Sequence, residues 1–161
     1  MILEFRRQLH SVSITGPDLP GAPFTATLDY QFNRAPLILE DSAGTILATI
    51  SNDPESSMPV LADVRNNYRE YSLLLRHWEF HYLELRRPDE VIETFWYPDG
   101  VFCFFRNGEL VARLSPIKPT TLIKSLIGNS REALEFECLD GTNIALLLAI
   151  FLWTLAPNGD R

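Results

Sequence analysis

IALLLAIFLWTLA, from Ile144 to Ala156, is the stretch that decides the fold of this chain. Every position but Thr154 is apolar, so no 3.6-residue stripe divides an inner face from a wet one. A helix built from it has to be surrounded on all sides. The residues before it form short apolar segments with period-2 alternation and turn signals between them, the pattern of a β-sheet closing around a central helix. Thr142 or Asn143 can cap the helix with a side-chain oxygen, and Pro157, Asn158 and Gly159 stop it. At about 1.5 Å per residue it is roughly 20 Å long, short of the about 20 apolar residues a bilayer span requires. No transmembrane span is expected.

Working back toward the N-terminus, REALEFECL reads as the last strand, ended by Asp140-Gly141. A Pro- and Lys-containing connector, PIKPTTLIKSLIGNS, precedes it. VFCFF and ELVARL face each other across Arg106-Asn107-Gly108, and Asn-Gly is the strongest short hairpin signal in the chain. Further back stand VIETFWY, HWEFHYLEL and YSLLL, with a turn at Arg87-Pro88-Asp89. Ser51 to Asn67 is the least readable stretch: SNDPESSMPV looks like a loop with two prolines, and ADVRNNY reads as a turn of helix or another edge. LILE and TILATI read as a hairpin across Asp41-Ser42-Ala43-Gly44. Phe24, Ala26, Leu28, Tyr30 and Phe32 share one face of a half-buried strand. Ile2 to Ser13 reads as a first strand or arm, and Gly16 to Pro23 as a loop or flexible lead-in. All of 1–161 is then a single domain, with 142–156 as its central helix.

This order of elements resembles a known family. FCFFRNGELVARLSP, a variable connector, the strand in ALEFECLDG and a wholly apolar C-terminal helix are similar to the closing section of the tubby C-terminal-like superfamily, which includes tubby proteins, LURP-one-related proteins and phospholipid scramblases. LILEDSAGTILATI resembles that family's repeated strand-turn-strand unit. The resemblance runs from about Leu28 to Leu155. It implies a mainly β (α+β) fold, a closed antiparallel barrel of about twelve strands around the buried hydrophobic helix, which leaves no exposed sheet edge. It also implies a binding or scaffold module, neither an enzyme nor a cofactor protein, since tubby domains hold phosphoinositide head groups through Lys and Arg on one face. The cysteine-rich stretch and long proline-rich tail of the scramblases have no counterpart here, which counts against scrambling.

Composition narrows the partners. At 161 residues and 46% hydrophobic the chain has ample core material for one domain. A net charge of -7 repels phosphate on average, so nucleic-acid binding driven by net charge is not expected. Cys103 and Cys138 form no CxxC pair, and the start MILEFRRQLH has no signal-peptide h-region. Both features fit a reducing cytoplasmic setting, at most peripheral to a membrane.

No catalytic motif is found: there is no GxSxG, phosphate loop or HExxH. On a single strand His77, Glu79 and His81 would share a face and could be weighed as a metal site. Same-face neighbours are about 6.6 Å apart, so a solvated face is the simpler reading. The same holds for Glu135 and Glu137, and Cys103 and Cys138 read as buried hydrophobes. Lys118 and Lys124 flank apolar Leu122, Ile123, Leu126 and Ile127, a combination suited to head-group contact with shallow insertion. Together with Arg106 and Arg113 they are the expected ligand-binding set. The alternatives are a protein-interaction domain that binds no lipid, and a tail-anchored membrane protein using the closing helix.

Overall fold

The structure, a computed structural model, describes residues 1–8, 10–27, 37–52, 59–64, 69–77, 82–117, 131–139 and 141–155. Among them the chain is mainly β, with one helix at its C-terminal end. The strands are β1 (Ile2–Arg7), β2 (Ser11–Thr15), β3 (Phe24–Thr27), β4 (Leu37–Glu40), β5 (Ile46–Asn52) and β6 (Pro59–Asp63). They continue with β7 (Arg69–His77), β8 (Tyr82–Arg87), β9 (Glu90–Trp96), β10 (Phe102–Arg106), β11 (Glu109–Pro116) and β12 (Arg131–Cys138). The helix, α1, runs Ile144–Leu155. Each strand pairs antiparallel with its sequence neighbours, and β1 also pairs with β12, Ile2 opposite Glu135 and Arg6 opposite Arg131. The pairing order is thereby closed on itself.

Alternation along each strand sends one row inward. Leu3 and Phe5 of β1, Val12 and Ile14 of β2, Leu37 and Leu39 of β4, Phe102 and Phe104 of β10 and Leu134 and Phe136 of β12 are all buried. About eight strands enclose an interior that side chains alone can fill. A wider ring needs further filling, and α1 supplies it: Ala145 through Trp153 are all buried in the same core. Phe151 meets Phe5 of β1, Trp96 of β9 and Phe102 of β10 at ring-centroid distances of 5.6, 5.7 and 5.3 Å. The helix also lies against β4 and β5, so walls of the sheet touch it from several directions. Each fully buried Leu, Ile or Phe side chain contributes about 1.5–3 kcal/mol, which makes α1 the largest single source of core area. No helix among the described residues is long and apolar enough to cross a membrane.

The start of α1 is fixed by a polar tie. Asn143 Oδ1 accepts from the Leu146 N–H at 3.2 Å, and Asn143 Nδ2 donates to Asp63 Oδ2 at 2.7 Å. Asn143 is therefore the cap, while the Thr142 hydroxyl donates to the Leu139 carbonyl instead. Asp63 is buried, and its carboxylate stands at the positive end of the helix dipole.

Several expectations are corrected. The single N-terminal arm from Ile2 to Ser13 is two strands, because Gln8 N–H donates to the Ser11 carbonyl at 2.8 Å and reverses the chain. Gly16 to Pro23 is the loop of the two readings rather than a flexible lead-in, pinned by Leu19, which is buried in the core cluster. β6 lies within the unpatterned Ser51–Asn67 stretch; two prolines and a run of small polar residues mask its alternation. HWEFHYLEL is not one strand: His77 ends β7 and stands opposite Tyr82, which begins β8.

Two stability outcomes follow. Leu148→Asp removes the cooperative thermal transition in circular dichroism, because an unpaired carboxylate inside the closed core carries a desolvation cost larger than the domain's margin. Asn143→Ala keeps the transition but lowers unfolding free energy by about 1–3 kcal/mol in urea, since the cap is lost and buried Asp63 loses a donor.

Candidate binding site at the barrel mouth

The ends of β6, β8, β10 and β12 and the starts of β7, β9 and β11 meet at the mouth where α1 begins. Here the inward rows cease to be apolar. Arg87 follows buried Leu85 by two positions, Glu90 precedes buried Ile92 by two and Arg106 follows buried Phe104 by two. Tyr71 stands opposite buried Leu61. Register brings the polar four to adjacent strands, Arg87 opposite Glu90 and Arg106 opposite Ile92.

Their contacts form a chain. The Tyr71 hydroxyl donates to Glu90 Oε2 at 2.8 Å, and Arg106 Nε lies 2.7 Å from Glu90 Oε1. Arg87 Nε lies 2.7 Å from Asp89 Oδ1, and its guanidinium sits over the Tyr71 ring, 5.6 Å from the centroid. Burial and the neighbouring Glu90 carboxylate push the Tyr71 phenol up to about 12. It is thus a fixed donor at neutral pH rather than a base. Arg106 is placed by the turn after it: Asn107 adopts φ 50 and Gly108 φ 86, as an Asn-Gly hairpin turn requires. Asn107 N–H donates to the Val91 carbonyl at 2.8 Å, and its Oδ1 accepts from Val91 N–H at 2.9 Å. This pair of bonds clamps β9 to the turn.

Of the expected ligand residues, the two that are described stand apart. Arg106 lies at the mouth, whereas Arg113 projects from the outer wall opposite Cys103 and Glu137 and pairs with the Glu137 carboxylate. Lys118 and Lys124 lie outside the described residues. The His77, Glu79, His81 row required one continuous strand; β7 ends at His77, and Glu79 and His81 lie outside the described residues. Among the described residues no group of three His, Cys, Asp or Glu could hold a metal ion. Burial pushes the Cys103 thiol up, with Arg113 acting weakly in the opposite direction; it is no activated nucleophile. Trp96 is part of the plug against Phe102 and Phe151, while Tyr97 is exposed. Exposed Ile46, Val64, Leu110 and Leu139 stand at the ends of strands around the same mouth.

Tyr71 and Glu90 were not among the expected residues, and Arg87, one of the scattered arginines of the sequence, was not in the expected ligand-binding set. The signal that would have found them is a charged or hydroxyl-bearing residue in phase with an apolar row, next to a turn. No family model, curated protein or solved structure matches this chain.

The raised phenol sets a pH dependence. Below its ordinary value of 10.0 both folded and unfolded phenols are protonated; from there to about 12 the unfolded phenol ionises first, so stability falls as pH rises. Tyr71→Phe removes the component of phenolate absorbance that titrates near 12 and flattens the alkaline loss of stability, read by urea denaturation across pH 9 to 12.

Proposed function

We propose that this chain is a non-enzymatic binding or scaffold module of tubby-like fold, cytoplasmic or peripheral to a membrane, that takes a phospholipid head group on its surface. One observation carries the reading: α1 occupies the interior, with Ala145 to Trp153 buried, so a ligand meets the walls or mouths of the sheet rather than a cavity within it. The order of strands before a wholly apolar C-terminal helix supports the tubby-like assignment. Arg113 on the wall and Arg106 at the mouth are the described members of the basic set. Each faces a carboxylate, Glu137 and Glu90, so a head group there competes with an internal partner. A second reading, a protein partner without lipid, is favoured by exposed Ile46, Val64, Leu110 and Leu139 at one mouth and by the net charge of -7, which opposes an anionic bilayer.

Sedimentation of the full chain with neutral liposomes and with liposomes containing phosphoinositide tests both. The expected outcome is that the chain stays in the supernatant with neutral vesicles and pellets with phosphoinositide, and that Arg113→Glu combined with Lys118→Glu and Lys124→Glu weakens pelleting at least tenfold. Equal partitioning to both vesicles, together with a folded soluble variant ending at Asp140, would make α1 a membrane anchor. No pelleting with either vesicle leaves the protein-partner reading.

A further inference from the structure

Four buried side-chain polar atoms among the described residues find no hydrogen-bond partner: Arg87 Nε, Arg87 Nη1, Arg106 Nε and Thr94 Oγ1. Three of them are guanidinium N–H groups at one mouth, on β8 and β10 flanking Glu90. Native folds leave few buried donors unanswered, and a cluster of them calls for a missing acceptor. The ion pairs explain why these donors remain open. Arg87 Nε and Arg106 Nε each lie 2.7 Å from a carboxylate oxygen, yet neither contact is an aligned hydrogen bond. Charge is partly balanced while the directed N–H bonds are unmade.

The balance is also uneven. Glu90 gives one oxygen to Tyr71 and faces Arg106 with the other, so Arg87 turns to the Tyr71 hydroxyl and to Asp89, whose side chain is 71% exposed. The Arg87 side chain is only 21% exposed and is held over the Tyr71 ring. A planar guanidinium fork held in this way matches an oxyanion with two acceptor oxygens. The N-terminus of α1 lies at the same mouth, but buried Asp63 and Asn143 already answer it, so the two arginines supply the positive potential there.

We infer that this mouth binds a phosphate-class oxyanion between Arg87 and Arg106, beside Glu90 and Tyr71. The inference rests on the proposed binding role and relocates its ligand contact from the Lys118 to Lys124 connector to the mouth. A soluble phosphate or a lipid phosphate would meet the same N–H groups. Because the chain as a whole is acidic, attraction is local, and added salt weakens binding less than it would at an extended basic face.

The test is a titration of the full-length protein with inorganic phosphate at matched ionic strength in chloride, following the arginine Nε–H resonances. The expected result is saturable shifts for Arg87 and Arg106, an apparent affinity at least tenfold weaker in Arg87→Gln and in Arg106→Gln, and no change in Arg131→Gln, an outer-wall arginine paired with Glu4. Unsaturable shifts, or shifts equal in all three variants, overturn the site and identify an adventitious ion only. Two mouth variants are used so that instability of one, checked by thermal melting, leaves the other decisive. Vesicles with phosphoinositide separate the sources. If pelleting is lost in Arg106→Gln and competed by free phosphate, the oxyanion belongs to a lipid. If phosphate saturates the mouth without any pelleting, the oxyanion is soluble and the lipid reading fails. If pelleting persists unchanged in both mouth variants and phosphate does not saturate, the lipid role stands and the mouth site is wrong.

Discussion

A helix with no wet face can exist in water only if something encloses it, and this constraint explains most of the molecule. Twelve residues without a polar stripe need apolar walls on every side, and an open sheet covers one side at most. A sheet whose first and last strands meet covers all of them, and in doing so removes the unpaired edges that invite association. The dependence is mutual. Without α1 the ring of Phe5, Phe102, Phe104 and Phe136 would line a void too wide for side chains to close, and the lost contacts would cost far more than one cavity-forming substitution.

Polar chemistry is confined to where enclosure ends. Asp63 and Asn143 are buried or half-buried but answer one another and the first turn of the helix, so the cost of desolvating a carboxylate is offset by a short hydrogen bond and a dipole. Tyr71, Arg87, Glu90 and Arg106 stand one layer outward, where side chains still point into the ring but water is near. That intermediate setting strengthens charge contacts relative to bulk water while leaving the arginines within reach of a ligand. A cluster of this kind deeper in the ring would oppose folding, and on the outer wall, as for Arg113 and Glu137, it would be worth little.

The helix and the Asn107-Gly108 hairpin were legible in the sequence because each follows from local chemistry: a run without amphipathic period, and a turn that needs two residues at positive φ. Strands with clean alternation, such as LILE and REALEFEC, were legible for the same reason. The end of β7 at His77 was not legible, because alternation of side chains says nothing about where a strand stops and no Gly or Pro stands beside it. β6 was hidden among polar residues and prolines. The mouth cluster could not be assembled beforehand, since Tyr71, Arg87, Glu90 and Arg106 acquire a common location only through strand register. Cap choice between Thr142 and Asn143 was likewise decided by a partner eighty residues away, Asp63.

The seam between β1 and β12 has a kinetic meaning. Glu4 and Arg131 face each other across it with a separation of 127 residues, and the Met1 ammonium donates to the Phe136 carbonyl at 2.7 Å. On a ribosome adding about 5–20 residues per second, β1 emerges roughly ten seconds before its second partner exists. During that interval it can pair only with β2, and its other edge stays open. Apolar α1 emerges later still, so the walls lack their filling until the end of synthesis. Such long-range closure makes for slow folding, and it makes the nascent chain, rather than the finished one, the form most exposed to aggregation.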